Sequence, residues 1–396
     1  MKITIAGTGM EGANTITAEA RRAINDAEIL IGGERMLAPF AETGKELFVS
    51  YKPEDIVEKL KSCGCERAVI LMSGDSGFFS GTKRILPMLA GHDVRVLPGI
   101  SSMSCLCSRV GISSENMKPV SLHGRNSNIA VNVNLNEYCF FILGGDMTAA
   151  DVCQRLCEYG LGDTAVHIGS DLGYPQERII SGKAKELTEC ETGKLSVMIT
   201  DNWEHRSVLP SGITDGSFIR SEVPMTKSEV RCIAVSRLQV SRDAVVWDVG
   251  CGSGSVSVEA AFRCPDGIVL AFDKKPEAAA LTRDNARLFG CDNIIVTEGR
   301  CPEMLSSAEA PDCVFIGGTS GNMSGVFTEV YKKNPSAQIV VTAVSLETMH
   351  DARVCFRQYG AEPEIAQISV SRAENVLGHS MMRAQNPVFI ISGRLS

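Results

Sequence analysis

The segment Asp248-x-Gly250-Cys251-Gly252-Ser253-Gly254, entered from the apolar run 245–249, limits the possible folds more than any other part of this chain. Three alternating glycines at the end of a strand let the backbone turn sharply, and they keep Cβ atoms away from whatever lies against it. Residues 255–263 then read as a helix, so the unit is strand, loop, helix, the opening of a parallel α/β sheet. A strand at 268–272 ends at Asp273, Pro276 sits at a helix start, and Gly290 closes that helix. Upstream, Val230, Ile233, Ala234 and Leu238 recur at helical spacing within 227–239. Downstream strands are expected at 312–316, 338–344, 365–370 and 388–391. No convincing helix separates the last two, which predicts an antiparallel closing pair.

The glycines imply a ligand, and the acid after them narrows its kind. A carboxylate about 20 residues beyond such a loop, at the end of the next strand, can accept both hydroxyls of a ribose. Asp273 stands there. S-adenosylmethionine has a ribose diol, an adenine edge, an amino-acid head and no phosphate, so it suits a loop that offers bare backbone. A solvated strand-end acid is the plain alternative for Asp273 taken alone.

A second glycine loop opens the chain. Strand 2–6 runs into Gly7-Thr8-Gly9-Met10-Glu11-Gly12, which has the letters of the dinucleotide fingerprint. That fingerprint works only when a helix begins at the loop and aims its N–H groups at a pyrophosphate. Here the first credible N-cap is Thr17, with a helix to Asp26, so NAD and FAD are disfavoured. A tight turn explains these glycines equally well. A strand is expected at 28–31, and further strands at 68–72, 94–97 and 139–143 run into glycine-rich turns at Ser73-Gly74-Asp75, Pro98-Gly99-Ile100-Ser101-Ser102 and Gly144-Gly145-Asp146. Ligand loops belong at such carboxyl ends.

With 396 residues the chain suits two domains of roughly 200 residues. The aperiodic stretch 201–222 is broken by Pro210, Gly212 and Gly216 and divides it, giving expected domains 1–205 and 213–396. A net charge of −8 argues against nucleic acid as a partner. No apolar run reaches the roughly 18–20 residues of a membrane span. The 15 cysteines are scattered without zinc-ribbon spacing, which predicts reduced thiols, a cytoplasmic protein and no metal site.

At this point the residues resemble known families. Asp248–Gly254 together with Pro224-Met225-Thr226-Lys227, Phe315-Ile316-Gly317-Gly318, residues 343–348 and Ala384-Gln385-Asn386-Pro387 resembles the precorrin C15-methylating, decarboxylating domain. The first half resembles its C5-methylating partner, a class III (tetrapyrrole-type) methyltransferase. That likeness rests on Gly7-x-Gly9, Ser73-Gly74-Asp75-x-Gly77-Phe78, residues 98–102 and Ser121-Leu122-His123-Gly124-Arg125. Together they resemble the fused precorrin-6Y C5,15-methyltransferase family. The resemblance implies an α/β fold in both halves: a class III fold of two α/β subdomains, then a class I Rossmann-like fold. It implies S-adenosylmethionine held by Gly7, Gly9, Gly74, Asp75, Ser101 and Ser102 in the first half. In the second it implies Thr226, Asp248, Gly250, Gly252, Ser253, Gly254, Asp273, Gly299 and Gly317. Three positions depart from the family pattern: Met10 replaces a proline, Arg300 an acid expected near adenine, and Thr342 an asparagine.

The implied reactions are methyl transfers to C5 and C15 of a small-molecule tetrapyrrole with loss of CO2 from a ring acetate, a step of cobalamin biosynthesis. The enamine ring is itself the nucleophile, so no Ser, Cys or Lys nucleophile is demanded. A polycarboxylate substrate asks for cations, and Lys227, Arg231, Arg372 and Arg383 are the candidates, with His123 as a candidate contact in the first half. Solvated surface cations or structural ion pairs, and a turn histidine, are the plain alternatives. The resemblance also implies a homo-oligomer, and the apolar Met381-Met382 and Val388–Ile391 segments need covering. Competing readings are methylation of another tetrapyrrole or of RNA, and a half decayed to a scaffold. An RNA enzyme would show an aromatic clamp where this chain has Phe315-Ile316-Gly317-Gly318.

Overall fold

The computed structural model describes residues 1–10, 14–122, 128–145, 147–319 and 321–395. Its contacts group the chain into two units. One comprises Met1–Arg125, Tyr138–Asp151 and Ala165–Asp201; the other comprises Asn126–Glu137, Val152–Thr164 and Asn202–Ser396.

The first unit holds two five-stranded sheets. Strands β1 (Lys2–Gly7), β2 (Ile29–Gly32), β3 (Glu46–Val49), β4 (Arg67–Met72) and β5 (Asp93–Leu97) are all parallel, in the order β3-β2-β4-β1-β5. As the sequence predicts, Thr17 caps the helix Ala18–Asp26 by accepting the N–H of Ala20, well away from the first glycine loop. The second sheet contains β6 (Met117–Ser121), β7 (Tyr138–Ile142), β8 (Ala165–Ser170), β9 (Arg178–Lys183) and β10 (Ser196–Asp201), in the order β6-β7-β10-β8-β9. Only β6 and β7 are parallel; the other pairs are antiparallel. The sulfurs of Cys63 and Cys65 are bonded, which corrects the expectation of reduced thiols throughout. Gly64 between them, at φ +65°, turns the two side chains toward one another. The other thirteen cysteines are not assigned to a disulfide.

The second unit is built on one seven-stranded sheet. Its strands are β11 (Val245–Val249), β12 (Ile268–Asp273), β13 (Ile294–Glu298), β14 (Cys313–Ile316), β15 (Gln338–Ala343), β16 (Glu364–Ile368) and β19 (Val388–Arg394), with β17 (Ser371–Val376) and β18 (His379–Ala384) as a separate hairpin. The order β13-β12-β11-β14-β15-β19-β16 reverses direction between β11 and β14, the switch point where α/β sheets take ligands. β19 is antiparallel to β15 and β16, so the expected closing pair is present. Its apolar residues are covered inside their own sheet; Ile390 and Ile391 are buried. Of the covers open to 388–391, a neighbour in its own sheet is the one present, so this strand gives no argument for a second subunit.

Alternation along β11 sends Val246 into the core beneath the helices Ser228–Leu238 and Ser255–Arg263, and Trp247 and Val249 into the core beneath Met323–Lys333 and Leu346–Gln358. Helices thus cover both faces of the sheet, leaving the strand ends open.

Candidate functional site

In the first unit three loops are drawn together at the carboxyl ends of β1, β4 and β5. The N–H of Gly9 donates to the carbonyl of Gly74 at 3.0 Å, and the N–H of Gly74 returns a bond to Gly9 at 3.1 Å. Asp75 accepts the N–H groups of Gly77 and Gly99 at 2.8 and 2.9 Å. A Cβ on Gly7 would lie 2.7 Å from the Gly74 oxygen and 2.7 Å from the Gly99 nitrogen. Gly7 therefore allows the loops to meet and does not itself line the opening. Gly9, Gly74, Asp75, Ser101 and Ser102 do line it, with Met10, Arg35, Phe78 and Phe79, around a cavity of about 480 Å³. Ser101 has a second task, capping the helix Ser102–Val110 through Ser104. The candidate His123 lies outside the described residues, as do Gly12, Gly124, Arg125 and Asp146.

The second unit has a comparable cavity at the β11/β14 switch point, of about 340 Å³. Thr226, Gly250, Gly252, Asp273, Gly299 and Gly317 line it, together with Arg300 and Glu303. Gly250, at φ +76°, faces the Gly318 backbone so closely that a Cβ would lie 2.5 Å from its oxygen. Asp273 accepts the N–H of Gly252 at 3.0 Å and that of Lys275 at 3.0 Å, so one carboxylate fixes the loop and borders the cavity.

Three expected contacts are relocated. Alternation along β11 turns Asp248 away from the strand end and under the helix Ser255–Arg263, where it accepts a hydrogen bond from Ser257 and is buried. Burial pushes its carboxyl up to about 7. Ser253 is buried, and Gly254 packs on Thr282, where a Cβ would approach to 2.7 Å. These residues shape the loop from behind and do not line the cavity.

A larger chamber of about 820 Å³ adjoins this cavity and shares with it Pro224, Thr226, Gly317, Gly318 and Thr319. Lys227 is the cation on its described walls and Asp351 the acid; Thr342, Thr348, Gln385 and Asn386 supply neutral polar groups, and no aromatic ring lines it. The three arginine candidates are placed elsewhere. Arg231 is fully buried, donating to Glu259 at 2.6 Å and to the Thr226 carbonyl at 2.7 Å, so it cannot clamp a substrate. Arg372 is committed to Glu229, Asp215 and Ser228. Arg383 pairs with Glu374 on the exposed hairpin at 3.0 Å. Cys251 borders the smaller cavity, but burial raises its thiol well above the ordinary range, leaving it a protonated and poor nucleophile. Sequence reading missed Arg35 and Asp351, which stand among other charged residues in Gly33-Glu34-Arg35 and His350-Asp351-Ala352-Arg353.

Two family models match successive parts of the chain: tetrapyrrole (corrin/porphyrin) methylases over residues 2–188, and the precorrin methyltransferase domain over 217–394. A precorrin-6Y C(5,15)-methyltransferase [decarboxylating] from Sinorhizobium sp is 27% identical over 395 residues, 98% of this chain and 94% of that protein. A probable cobalt-precorrin-6B C(15)-methyltransferase (decarboxylating) from Pyrobaculum calidifontis is 39% identical over 184 residues, covering 46% of this chain and 94% of that one. Among solved structures, a precorrin-6y C5,15-methyltransferase from Geobacter metallireducens GS-15 shares 34% identity over 46% of this chain and 96% of its own, with a TM-score of 0.44.

Proposed function

The chain belongs to the precorrin methyltransferase family, with a tetrapyrrole methylase domain ahead of the family domain, and from that premise we propose that it methylates a precorrin-6B-type ring at C5 and C15 and removes CO2 from the C12 acetate, in cobalamin biosynthesis. S-adenosylmethionine is the methyl donor that fits: each unit has a glycine-walled cavity at the carboxyl ends of parallel strands. We assign C5 methylation to residues 1–205 and C15 methylation with decarboxylation to residues 213–396.

The observation that carries this reading is the shared wall in the second unit. Pro224, Thr226, Gly317, Gly318 and Thr319 border both the narrow glycine cavity and the 820 Å³ chamber, so a donor in one can meet a macrocycle in the other. The donor, when bound, supplies an electrophilic methyl on a cationic sulfur. The protein's work is to aim a nucleophilic ring carbon at that methyl, an orientation effect of several kcal/mol in order of magnitude. Gly250, Gly252 and Gly317 keep Cβ atoms off the donor's path, and Asp273 accepts from its ribose. Lys227 can hold a ring carboxylate, and the neutral Thr342, Thr348, Gln385 and Asn386 can accommodate others. For decarboxylation the C–C electrons flow into the protonated, conjugated ring as CO2 leaves, and the exocyclic carbon then takes a proton. Burial in the chamber helps by stripping water from the departing carboxylate. The absence of an aromatic ring from the chamber's described walls favours a wide macrocycle over a flipped base.

A homo-oligomer and a cytoplasmic setting belong to the same proposal. The exposed hairpin, with Leu377 96% and Met382 68% accessible, supports the first, and thirteen cysteines not assigned to a disulfide support the second. No helix among the described residues is long and apolar enough to cross a membrane. The test is to offer metal-free and cobalt-loaded precorrin-6B with a methyl-labelled donor. Two labelled methyls and one CO2 per ring are expected; no transfer to either ring would overturn the proposal.

A further inference from the structure

The first unit's cavity continues past its glycine loops. A second opening of about 500 Å³ is lined by Asn14, Pro39, Gly173 and Glu177, and both openings share Arg35 and Tyr174. The two spaces therefore meet at one cation and one aromatic ring.

Arg35 occupies the first turn of a short helix, Glu34–Leu37, directly after β2. One nitrogen of its guanidinium donates to Ser73 Oγ at 3.0 Å, and its Cζ lies 5.7 Å from the centre of the Tyr174 ring. Ser73 immediately precedes Gly74 and Asp75, so the arginine is braced on the loop that borders the expected donor site. Nearby acids are already engaged. Glu177 accepts from Arg109 at 2.9 Å and from the N–H of Gly173 at 2.6 Å, and Asp75 is held by Gly77 and Gly99. No carboxylate pairs with Arg35 among the described residues. Among the described residues Ser73 is the one hydrogen-bond acceptor of this guanidinium, whose planar fork can bind carboxylates bidentately.

The same cavity carries Phe79, 56% exposed, at φ +46°. A bulky residue in left-handed backbone is strained, and such strain clusters where a side chain must be presented. An exposed ring and an uncommitted, pre-braced guanidinium on one cavity wall suit a flat ligand edged with carboxylates.

We propose that Arg35 is the carboxylate clamp of the first unit, orienting the tetrapyrrole so that its accepting carbon faces the donor seated on Gly9, Gly74, Ser101 and Ser102. The assignment rests on the function proposed above. Ser73 and Tyr174 are positioning residues that fix the guanidinium plane. Because Ser73 joins the donor loop, the clamp also links the ring's placement to the donor's.

The second unit supplies an internal control, since its methylation and CO2 release do not use Arg35. The full chain is compared with R35A and R35K by counting labelled methyls at C5 and C15, measuring CO2, and titrating donor binding by calorimetry. For R35A we expect unchanged donor binding at both sites, unchanged C15 methylation and CO2 release, and about a 100-fold fall in kcat/KM for C5 methylation. R35K keeps the charge but not the fork and should recover little of the loss. If R35A keeps C5 methylation at the wild-type rate, the clamp is refuted. Loss of donor binding from the first unit would also refute it, by making Arg35 a loop support. Wild-type protein that methylates only C15 would overturn the C5 assignment itself, and the clamp with it.

Discussion

The Nε of Arg231 donates to Oε1 of Glu259 at 2.6 Å, and neither side chain has any exposed surface. The pair is the hub of a larger junction. Glu259 also accepts the N–H groups of Gly212 and Ile213 at 3.1 and 3.0 Å, while Arg231 reaches the carbonyls of Thr226 and Ile213 and stacks 4.8 Å from the Phe218 ring. It thus ties the stretch that enters the second unit, and the strand of chain bearing Thr226 beside both cavities, to the helix Ser255–Arg263.

Losing Glu259 removes the shorter of Arg231's two ion pairs and leaves Asp215, 3.4 Å away, as its remaining carboxylate, at a cost of up to roughly 3–5 kcal/mol. E259Q should lower the urea midpoint of the second unit accordingly without changing the dependence on urea concentration. Protein that remains folded should still bind donor, because neither residue borders the cavity; a loss of donor binding at full stability would return Arg231 to the binding machinery.

G250A tests the glycine loop. The residue needs φ +76°, and its new Cβ would lie 2.5 Å from the Gly318 oxygen, which is backbone and cannot swing aside. Calorimetry on the full chain should fall from two donor sites to one, with C5 methylation retained. D273A should weaken the same site by about 1.5–3 kcal/mol for each hydrogen bond to a charged acceptor that is lost. Two undiminished sites in both variants would show that the donor lies elsewhere.

Acid stability reports on Arg372. Its guanidinium holds Glu229 below the ordinary 4.5, at about 2. A depressed carboxylate contributes stability that is full above its unfolded value and is lost as pH falls through the folded one. The difference in stability between wild type and E229Q should therefore be constant above pH 4.5, shrink between 4.5 and about 2, and vanish below. The pair is 35% and 40% exposed, so the difference is small and added salt should reduce it. A difference unchanged from pH 6 to pH 2 would place the stabilisation outside this ion pair.

What was legible in the chain follows from which forces are local. β11 and the helices beginning at Ser255 and Pro276 were readable because β-branched runs, glycine turns and proline at the first helical position act within a few residues. For Arg231 the structural ion pair holds and the substrate contact does not, and its partner was not legible because it lies 28 residues onward; its spacing from Ala234 and Leu238 was the available sign that it shares their buried face. Asp248 and Asp273 look alike beside a glycine loop, yet strand alternation turns one inward and leaves the other at the strand end. Arg35 stands just past the end of a strand that was expected, which was a positional sign, but its partners were not legible, since Ser73 is 38 residues away and Tyr174 lies in a different sheet's connection. The β17–β18 hairpin was invisible because no face of it is buried, so no alternation was imposed on Ser371–Val376 or His379–Ala384.

That hairpin gives the last prediction. It turns at Leu377-Gly378, both at positive φ, and holds Val376, Leu377, Met381 and Met382 at 44%, 96%, 56% and 68% exposure. Neighbouring apolar side chains on a two-stranded ribbon are unfavourable in water, and such a ribbon is marginal unless its face is covered. A second copy of the chain is the cover we propose, through a symmetric contact of one hairpin face, the one bearing Val376 and Met381 or the one bearing Met382. Light scattering coupled to size exclusion should give a multiple of 42.5 kDa for the wild type. Placing glutamates at both methionines should bring like charges together across the contact and shift the mass to one chain, while donor binding at both cavities persists. A wild-type mass of 42.5 kDa across micromolar concentrations would refute the oligomer and leave the hairpin's apolar residues to some other partner.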